Sequence, residues 1–145
     1  MKELKTEIEI NAGAEKVWKI LTDFPAFASW NSFIPAIQGR AEKGARLRLF
    51  VKMPFQKRAM RLKPVVLKAE PARELRWFGK LWGLGFLFAG EHFFRIQKID
   101  DQQVKFIHGE RFTGLLLPIV WKVMGEQIRM GYVQFNRDLK RECEL

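Results

Sequence analysis

The feature that most constrains the fold is a long apolar stripe near the C-terminus. From about Pro118 to Glu142, apolar residues recur at intervals of three and four, which is the spacing of one face of an α-helix. The proline suits the first turn of such a helix, where its missing N–H is not needed. A helix with a single apolar face must lie on another apolar surface. The stripe comprises Trp121, Met124, Ile128, Tyr132, Phe135 and Leu139.

The residues before this helix alternate between apolar and polar side chains in several short segments, which predicts β-strands. The first strand faces inward with Leu4, Thr6, Ile8 and Ile10. Asn11 can cap a helix over Ala14–Thr22, and a short helical segment follows over Phe24–Trp30. Further strands are predicted over Ser32–Gly39, Arg46–Met53, Met60–Lys68, Glu74–Lys80, Phe88–Ile99 and Gln103–Phe112.

Short turns between these strands favour antiparallel pairing, and a sheet with one apolar face needs helices to cover that face. We therefore expect a single α+β domain over residues 1–145. A curved antiparallel sheet of six to seven strands would pack around the long helix, with two short helices after the first strand. Pro64 lies inside one predicted strand, which places that strand at an edge or a bulge.

Composition narrows the partners of such a domain. The chain has 26 Lys and Arg against 16 Asp and Glu, a net charge of +10, which favours anionic partners. The single cysteine, Cys143, excludes an intrachain disulfide, and its position near the C-terminus predicts an accessible thiol. We expect no signal peptide, and no apolar run reaches the roughly 18 residues of a membrane span, so a cytoplasmic location is predicted. No cofactor is predicted.

Both histidines of the chain are expected to face the interior beside one carboxylate. If Asp101 is the centre of the last hairpin turn, Phe94 pairs with His108 and His92 pairs with Glu110. Such a set can be a structural pair, a group that orients a ligand, or an acid–base couple. A structural or ligand-orienting role is favoured, and no ligand spacing supports a metal site. His92, His108 and Glu110 are the candidate catalytic residues.

Three loops are expected at one end of the sheet, because antiparallel strands bring alternate connections together. They are residues 54–58, 81–85 and 113–117. Their apolar residues, flanked by Lys52, Lys80 and Arg111, would suit an anionic membrane surface, a homodimer contact or closure of the core. These apolar residues are Phe55, Leu81, Trp82, Leu84, Leu115 and Leu116.

The outer face of the sheet is predicted to be basic, with Phe50 and Phe78 between the charges. Basic side chains interleaved with aromatic rings can bind single-stranded nucleic acid. No RNA-binding sheet motif is present, so nucleic acid is disfavoured and a solvated face is favoured. The basic residues are Arg46, Arg48, Lys52, Arg61, Lys63, Arg76 and Lys80.

Three short motifs, in order along the whole chain, resemble those of a known superfamily. They are Ala14-Glu15-Lys16-Val17-Trp18, then Thr22-Asp23-Phe24 with Trp30-Asn31, and finally Gly90-Glu91-His92-Phe93-Phe94 with His108-Gly109-Glu110-Arg111-Phe112. The chain resembles the START/Bet v 1-like (SRPBCC) superfamily, in its bacterial polyketide cyclase/dehydrase-like branch. The resemblance implies a helix-grip fold, in which the sheet wraps around the C-terminal helix and leaves a cavity. Proteins of this shape carry lipids, bind hormones, cyclise polyketides or assist other proteins, so the fold leaves the activity open.

The function expected from these features is binding or transport of a hydrophobic or amphipathic small molecule or lipid in an internal cavity. The alternatives are a cyclase or dehydratase-type enzyme with a His/Glu acid–base pair, and a basic module for an acidic partner. A binding protein is favoured over an enzyme. The residues expected to contact the ligand are Leu47, Leu49, Val51, Leu62, Trp77, His92, Phe94, Phe106, His108, Glu110, Met124, Ile128 and Phe135.

Overall fold

The computed structural model describes all residues, 1–145, and contains eight strands and three α-helices. Two turns of 3-10 helix, Phe24–Ala26 and Leu81–Gly83, join some of these elements. In chain order the elements are β1 (Lys2–Ile10), α1 (Ala14–Thr22), α2 (Phe27–Trp30), β2 (Ala36–Gln38), β3 (Arg48–Val51), β4 (Met60–Leu62), β5 (Val65–Glu70), β6 (Glu74–Lys80), β7 (Ala89–Asp100), β8 (Gln103–Thr113) and α3 (Leu117–Cys143).

The strands form a five-stranded and a three-stranded antiparallel sheet. The larger sheet has the order β1-β8-β7-β6-β5 and the smaller has the order β2-β3-β4. The sheets are joined where β5 begins, through a bridge between Arg46 and Val65 and a bond of 2.8 Å from the Leu47 N–H to the Pro64 carbonyl. The predicted α+β class, with a long C-terminal helix and two short helices after the first strand, is confirmed.

One detail of the predicted sheet is wrong and another is confirmed. Residues 60–68 form two strands, β4 and β5, in different sheets, so the strands number eight instead of six or seven. Pro64 separates them because it lacks the N–H that a continuing ladder requires. The hairpin register is as predicted: His92 lies opposite Glu110, and Phe94 lies opposite His108.

Helix α3 is 27 residues long and packs on β1 and β8. Its stripe is buried from Ile128 onward and half-buried at Trp121 and Met124. No helix of the protein combines the length and the apolar character that crossing a membrane requires. The cytoplasmic location stays a prediction.

Aromatic rings fill the core on the side of the β7–β8 turn. The centroids of Phe94 and Phe135 lie 5.2 Å apart, and those of Phe94 and Phe106 lie 6.1 Å apart. Cys143 is also fully buried, so the predicted accessible thiol is wrong. The last turn of α3 packs on the core instead of fraying, and burial raises the pKa of the Cys143 thiol to about 12.

Two glycines of α3 should respond in opposite ways to the same substitution. A methyl group at Gly131 would overlap the Phe33 ring, whereas one at Gly125 would lie 3.5 Å from Trp121. Alanine is favoured over glycine within a helix by about 1 kcal/mol. We expect Gly125→Ala to raise the free energy of unfolding by up to about 1 kcal/mol, and Gly131→Ala to lower it by about 1–3 kcal/mol. Denaturant unfolding measures both, and shifts of the same sign would contradict the packing described.

Candidate functional site: a cavity with a buried hydrogen-bond chain

A cavity of about 320 Å³ lies between the sheets and α3, at the end where β7 begins and β8 finishes. Small-molecule sites span roughly 300–1,000 Å³, so this volume suits a compact ligand. The wall is apolar except at Lys80, His92, Glu110 and Tyr132. Its apolar residues are Phe33, Ile34, Leu49, Val51, Met53, Met60, Leu62, Pro64, Trp77, Leu81, Phe88, Phe112, Val120, Met124 and Ile128.

The residues predicted to contact a ligand divide into two groups. Eight lie in the cavity wall: Leu49, Val51, Leu62, Trp77, His92, Glu110, Met124 and Ile128. Five lie outside that wall, in the closed core: Leu47, Phe94, Phe106, His108 and Phe135. Alternation along a strand identifies the face on which a side chain lies, but the depth at which packing becomes solid depends on several elements together.

A chain of hydrogen bonds runs from the cavity wall into the core. Glu110 Oε1 lies 3.0 Å from His92 Nδ1, and His92 Nε2 lies 2.7 Å from His108 Nε2. His108 Nδ1 lies 2.9 Å from Asn136 Oδ1. Asn136 Nδ2 donates to Thr6 Oγ1 at 2.9 Å, and Thr6 Oγ1 donates to the backbone carbonyl of His108 at 2.9 Å. β8, β7, α3 and β1 therefore all contribute to one polar chain.

The direction of each bond follows from the carbonyl at the end of the chain. A carbonyl only accepts, so the Thr6 hydroxyl donates to it and accepts from the Asn136 amide. Asn136 Oδ1 then accepts from Nδ1–H of His108, which leaves Nε2 of His108 to accept from His92. One further proton must lie between His92 Nδ1 and Glu110 Oε1, since two lone pairs would otherwise face each other at 3.0 Å.

Burial keeps His108 and Tyr132, the two neighbours of the His92–Glu110 pair, neutral. Desolvation, with a smaller contribution from the neighbouring His92, lowers the pKa of His108 well below 6.5. Desolvation, followed by the nearby Glu110, raises the pKa of Tyr132 well above 10. Tyr132 therefore remains a hydroxyl and donates to Glu110 Oε1. The exchangeable proton of the site is confined to His92 and Glu110.

The second carboxylate oxygen of Glu110 has no hydrogen-bond partner within the protein. Both contacts of Glu110, from His92 and from Tyr132, are made by Oε1. Oε2 packs against Gly90, where a methyl group would overlap it. The Glu110 side chain is 16% exposed and forms part of the cavity wall. A ligand in the cavity can therefore reach this oxygen.

Sequence reasoning missed three members of the chain: Thr6, Tyr132 and Asn136. Thr6 was placed on the correct face of β1, and Tyr132 was counted only as an apolar member of the helical stripe. The sequence did contain an indication of these residues, because Tyr132 is the only tyrosine of the protein and Asn136 follows it by one helical turn. Two polar groups on the buried face of a helix require partners.

The structure also describes the predicted basic outer face and the possibility of a metal site. On the outer face Arg76 is paired with Glu74 and Glu91, and Arg61 lies 6.0 Å from the centre of the Phe50 ring. These contacts leave fewer free cations and rings for a nucleic acid than the sequence suggested. No group of three or more His, Cys, Asp or Glu residues is arranged to hold a metal ion.

The buried His108 should make the protein less stable in mild acid. Its lowered pKa means that, as the pH falls below about 6.5, the unfolded chain binds a proton at this position before the folded one does. The free energy of unfolding should then fall by up to about 1.4 kcal/mol per pH unit, and the loss should level off below the folded-state pKa. Denaturant titrations at several pH values measure this slope. His108→Gln should flatten it and Thr6→Val should keep it; an unchanged slope in His108→Gln would contradict the assignment.

Comparison with known proteins agrees with this architecture. The solved structures that the chain resembles include the aromatase/cyclase Zhui from a Streptomyces species (TM-score 0.80, 14% identity, covering 99% of this chain and 93% of that one). They also include a START superfamily protein from Mycobacterium smegmatis (TM-score 0.73, 20% identity, covering 98% and 97%). At these identities the likeness concerns the fold alone, and no protein of curated function matches significantly. The family described as "Polyketide cyclase / dehydrase and lipid transport" matches residues 1–144, and the chain therefore belongs to that family.

Proposed function

We propose that the protein binds a hydrophobic small molecule in the cavity, with the polar end of that molecule on Glu110. The observation that carries the proposal is a mostly apolar cavity of about 320 Å³ with one unpartnered carboxylate oxygen in its wall. Ligand sites of this kind combine apolar surface, which supplies affinity, with a few polar groups that orient the ligand. Family membership supports a role of this class.

The polar end of the ligand should be a hydrogen-bond donor. The shared proton lies between Oε1 and His92, so Oε2 is an acceptor whether that proton belongs to the imidazole or to the carboxyl group. A hydroxyl or phenol group satisfies Oε2, whereas a carboxylate would bring two acceptors together in an apolar site. Neutral hydroxylated ligands should therefore bind in preference to fatty acids or aryl carboxylates.

Three ligands of one shape test this preference: naphthol, its methyl ether and naphthoate. Leaving a buried acceptor unsatisfied costs about 1–3 kcal/mol, so we expect naphthol to bind roughly tenfold more tightly than the other two. Isothermal titration calorimetry measures the three dissociation constants. In Glu110→Ala the preference should disappear while the ether retains its affinity. Equal affinities in the wild-type protein would contradict a donor-selective site.

A matched pair of substitutions locates the binding in the cavity. Leu62 lies in the cavity wall, whereas Leu67 is 40% exposed on β5 and lies outside it. Leu62→Trp should fill the cavity and abolish naphthol binding, and Leu67→Trp should leave it unchanged. Binding that survives Leu62→Trp would place the ligand elsewhere on the protein.

A second function, acid–base catalysis, is favoured by the proton shared between His92 and Glu110. The chain beyond His92 ends at a backbone carbonyl, and the lowered pKa of His108 opposes onward transfer. The site can therefore take one proton from a ligand and return it, but it has no route for that proton through the core. Cyclisation and dehydration require such a cycle, since a proton leaves carbon and is returned to oxygen: to the former carbonyl oxygen in cyclisation, and to the departing hydroxyl group in dehydration.

Exchange of the α-protons of tetralone in heavy water tests this function without knowledge of the true substrate. General-base assistance accelerates proton transfer by about 100-fold or more. The exchange rate with the wild-type protein, followed by NMR, should therefore exceed the rate with Glu110→Ala by about that factor. Leu67→Trp, which changes an exposed residue outside the cavity wall, should retain the exchange. Equal rates for the wild-type protein and Glu110→Ala would leave the site with binding alone.

A further inference from the structure

An exposed apolar surface surrounds the end of the molecule at which the cavity lies. Leu115 is 75% exposed, and its N–H donates to the Phe86 carbonyl at 3.0 Å, so the two loops that carry them are adjacent. Ile119 and Val123 lie one turn apart on the exposed side of α3. The mouth surface is defined here as Phe55, Trp82, Phe86, Leu115, Ile119 and Val123.

The three segments that carry the mouth surface also form the cavity wall. Residues 52–63 contribute Met53 and Met60 to that wall, residues 80–88 contribute Lys80 and Leu81, and residues 111–125 contribute Val120, among others. Nine of the 21 residues of the cavity wall lie in these three segments, so the mouth surface and this part of the wall are connected along the chain. Clustered exposed apolar residues of this extent commonly mark a site of contact with another surface.

Two of these aromatic residues are held in an unfavourable backbone conformation. Phe55 has a φ of 69° and Trp82 has a φ of 52°, a region that bulky side chains rarely adopt. Phe55 is 85% exposed and Trp82 is 80% exposed, so packing within the protein does not offset the strain. Glycine would be more stable at either position. Strained residues of this kind are concentrated at sites that contact other molecules.

Nearly all of the excess positive charge lies in the same three segments. Residues 52–63, 80–88 and 111–125 contain eight of the 26 Lys and Arg and none of the 16 Asp and Glu. The other residues are almost balanced, with 18 cationic and 16 acidic side chains. The cations of these segments are Lys52, Lys57, Arg58, Arg61, Lys63, Lys80, Arg111 and Lys122.

We propose that the mouth surface docks on an anionic lipid bilayer, with its apolar side chains in the interface and the surrounding cations on the headgroups. Apolar and aromatic side chains provide insertion, while lysine and arginine provide attraction to negative lipids. An acidic protein surface would satisfy the cations but would leave the loop-tip aromatics in a polar contact. Where the protein carries a hydrophobic ligand, as proposed above, docking places the cavity entrance against the bilayer, so that the ligand avoids water during transfer.

Co-sedimentation with vesicles tests the docking. Vesicles of phosphatidylcholine alone and with phosphatidylglycerol are compared at low and high salt. We expect binding only to the anionic vesicles, and a loss of binding as salt screens the charges. Trp82→Gly should unfold at no lower denaturant concentration than the wild-type protein, because it relieves the strain, yet should bind vesicles at least about fivefold more weakly. Lys57→Glu with Arg58→Glu should lower binding by about tenfold or more.

Control positions lie away from the mouth surface, at the β7–β8 turn and in the turn before β3. Ile99→Ser removes an apolar side chain that is 49% exposed beside the β7–β8 turn, and Lys43→Glu reverses an exposed charge in the turn before β3. Both should bind vesicles as the wild-type protein does. The proposal is overturned if anionic vesicles bind no better than neutral ones, or if Trp82→Gly binds as well as Ile99→Ser. It is also overturned if the protein is a dimer that Trp82→Gly dissociates, because a second copy would then cover the mouth surface.

Naphthol titration in the absence of vesicles keeps the two proposals separate. Trp82→Gly should bind naphthol normally, and Glu110→Ala should bind vesicles normally. A variant that loses vesicle binding but keeps naphthol binding therefore has a defect in the mouth surface. A variant that loses naphthol binding but keeps vesicle binding has a defect in the cavity.

Discussion

Helix α3 can lie on β8 only if the two polar side chains that face this strand find partners there. Tyr132 and Asn136 are four residues apart, a rise of about 6 Å along a helix. Their partners on β8, Glu110 and His108, are two residues apart, which is about 6.8 Å along a strand. The two spacings match closely enough for both bonds to form at once. This match determines where the helix rests along the sheet, and therefore where space remains.

The interior divides at the level of this contact. On one side, rings of Phe94, Phe106 and Phe135 fill the space between sheet and helix. On the other side, the chain passes from the smaller to the larger sheet at Pro64, and the side chains of the two sheets and of α3 leave about 320 Å³ unfilled. The hydrogen-bond chain lies at the boundary. Its far end is anchored in solid core, which holds Glu110 rigidly at the wall of the cavity and preorganises it for a ligand.

The open end of the molecule departs from the rules that govern the rest. Most apolar residues of the β-hairpin and of the C-terminal half of α3 are buried. The loops beside the cavity and the first turns of α3 expose theirs, and Phe55 and Trp82 do so in strained conformations. Stability alone would favour glycine at Trp82 and a polar side chain at Leu115. Packing in the closed half of the protein offsets the destabilisation that strained and exposed apolar residues cause. Natural proteins concentrate such residues where they contact other molecules.

Periodicity alone determined most of the architecture. The apolar stripe of α3, the alternation of the strands and the position of the hairpin turn are local patterns, and they predicted the α+β fold and the pairing of His92 with Glu110. Only the tertiary structure decided which inward residues meet empty space, that Pro64 divides a strand between two sheets, and that Asn136 and Thr6 complete the polar chain. These outcomes depend on contacts between segments distant in sequence. A local pattern indicates the face of a helix or strand on which a side chain lies, but it does not indicate which residues of other segments surround that side chain.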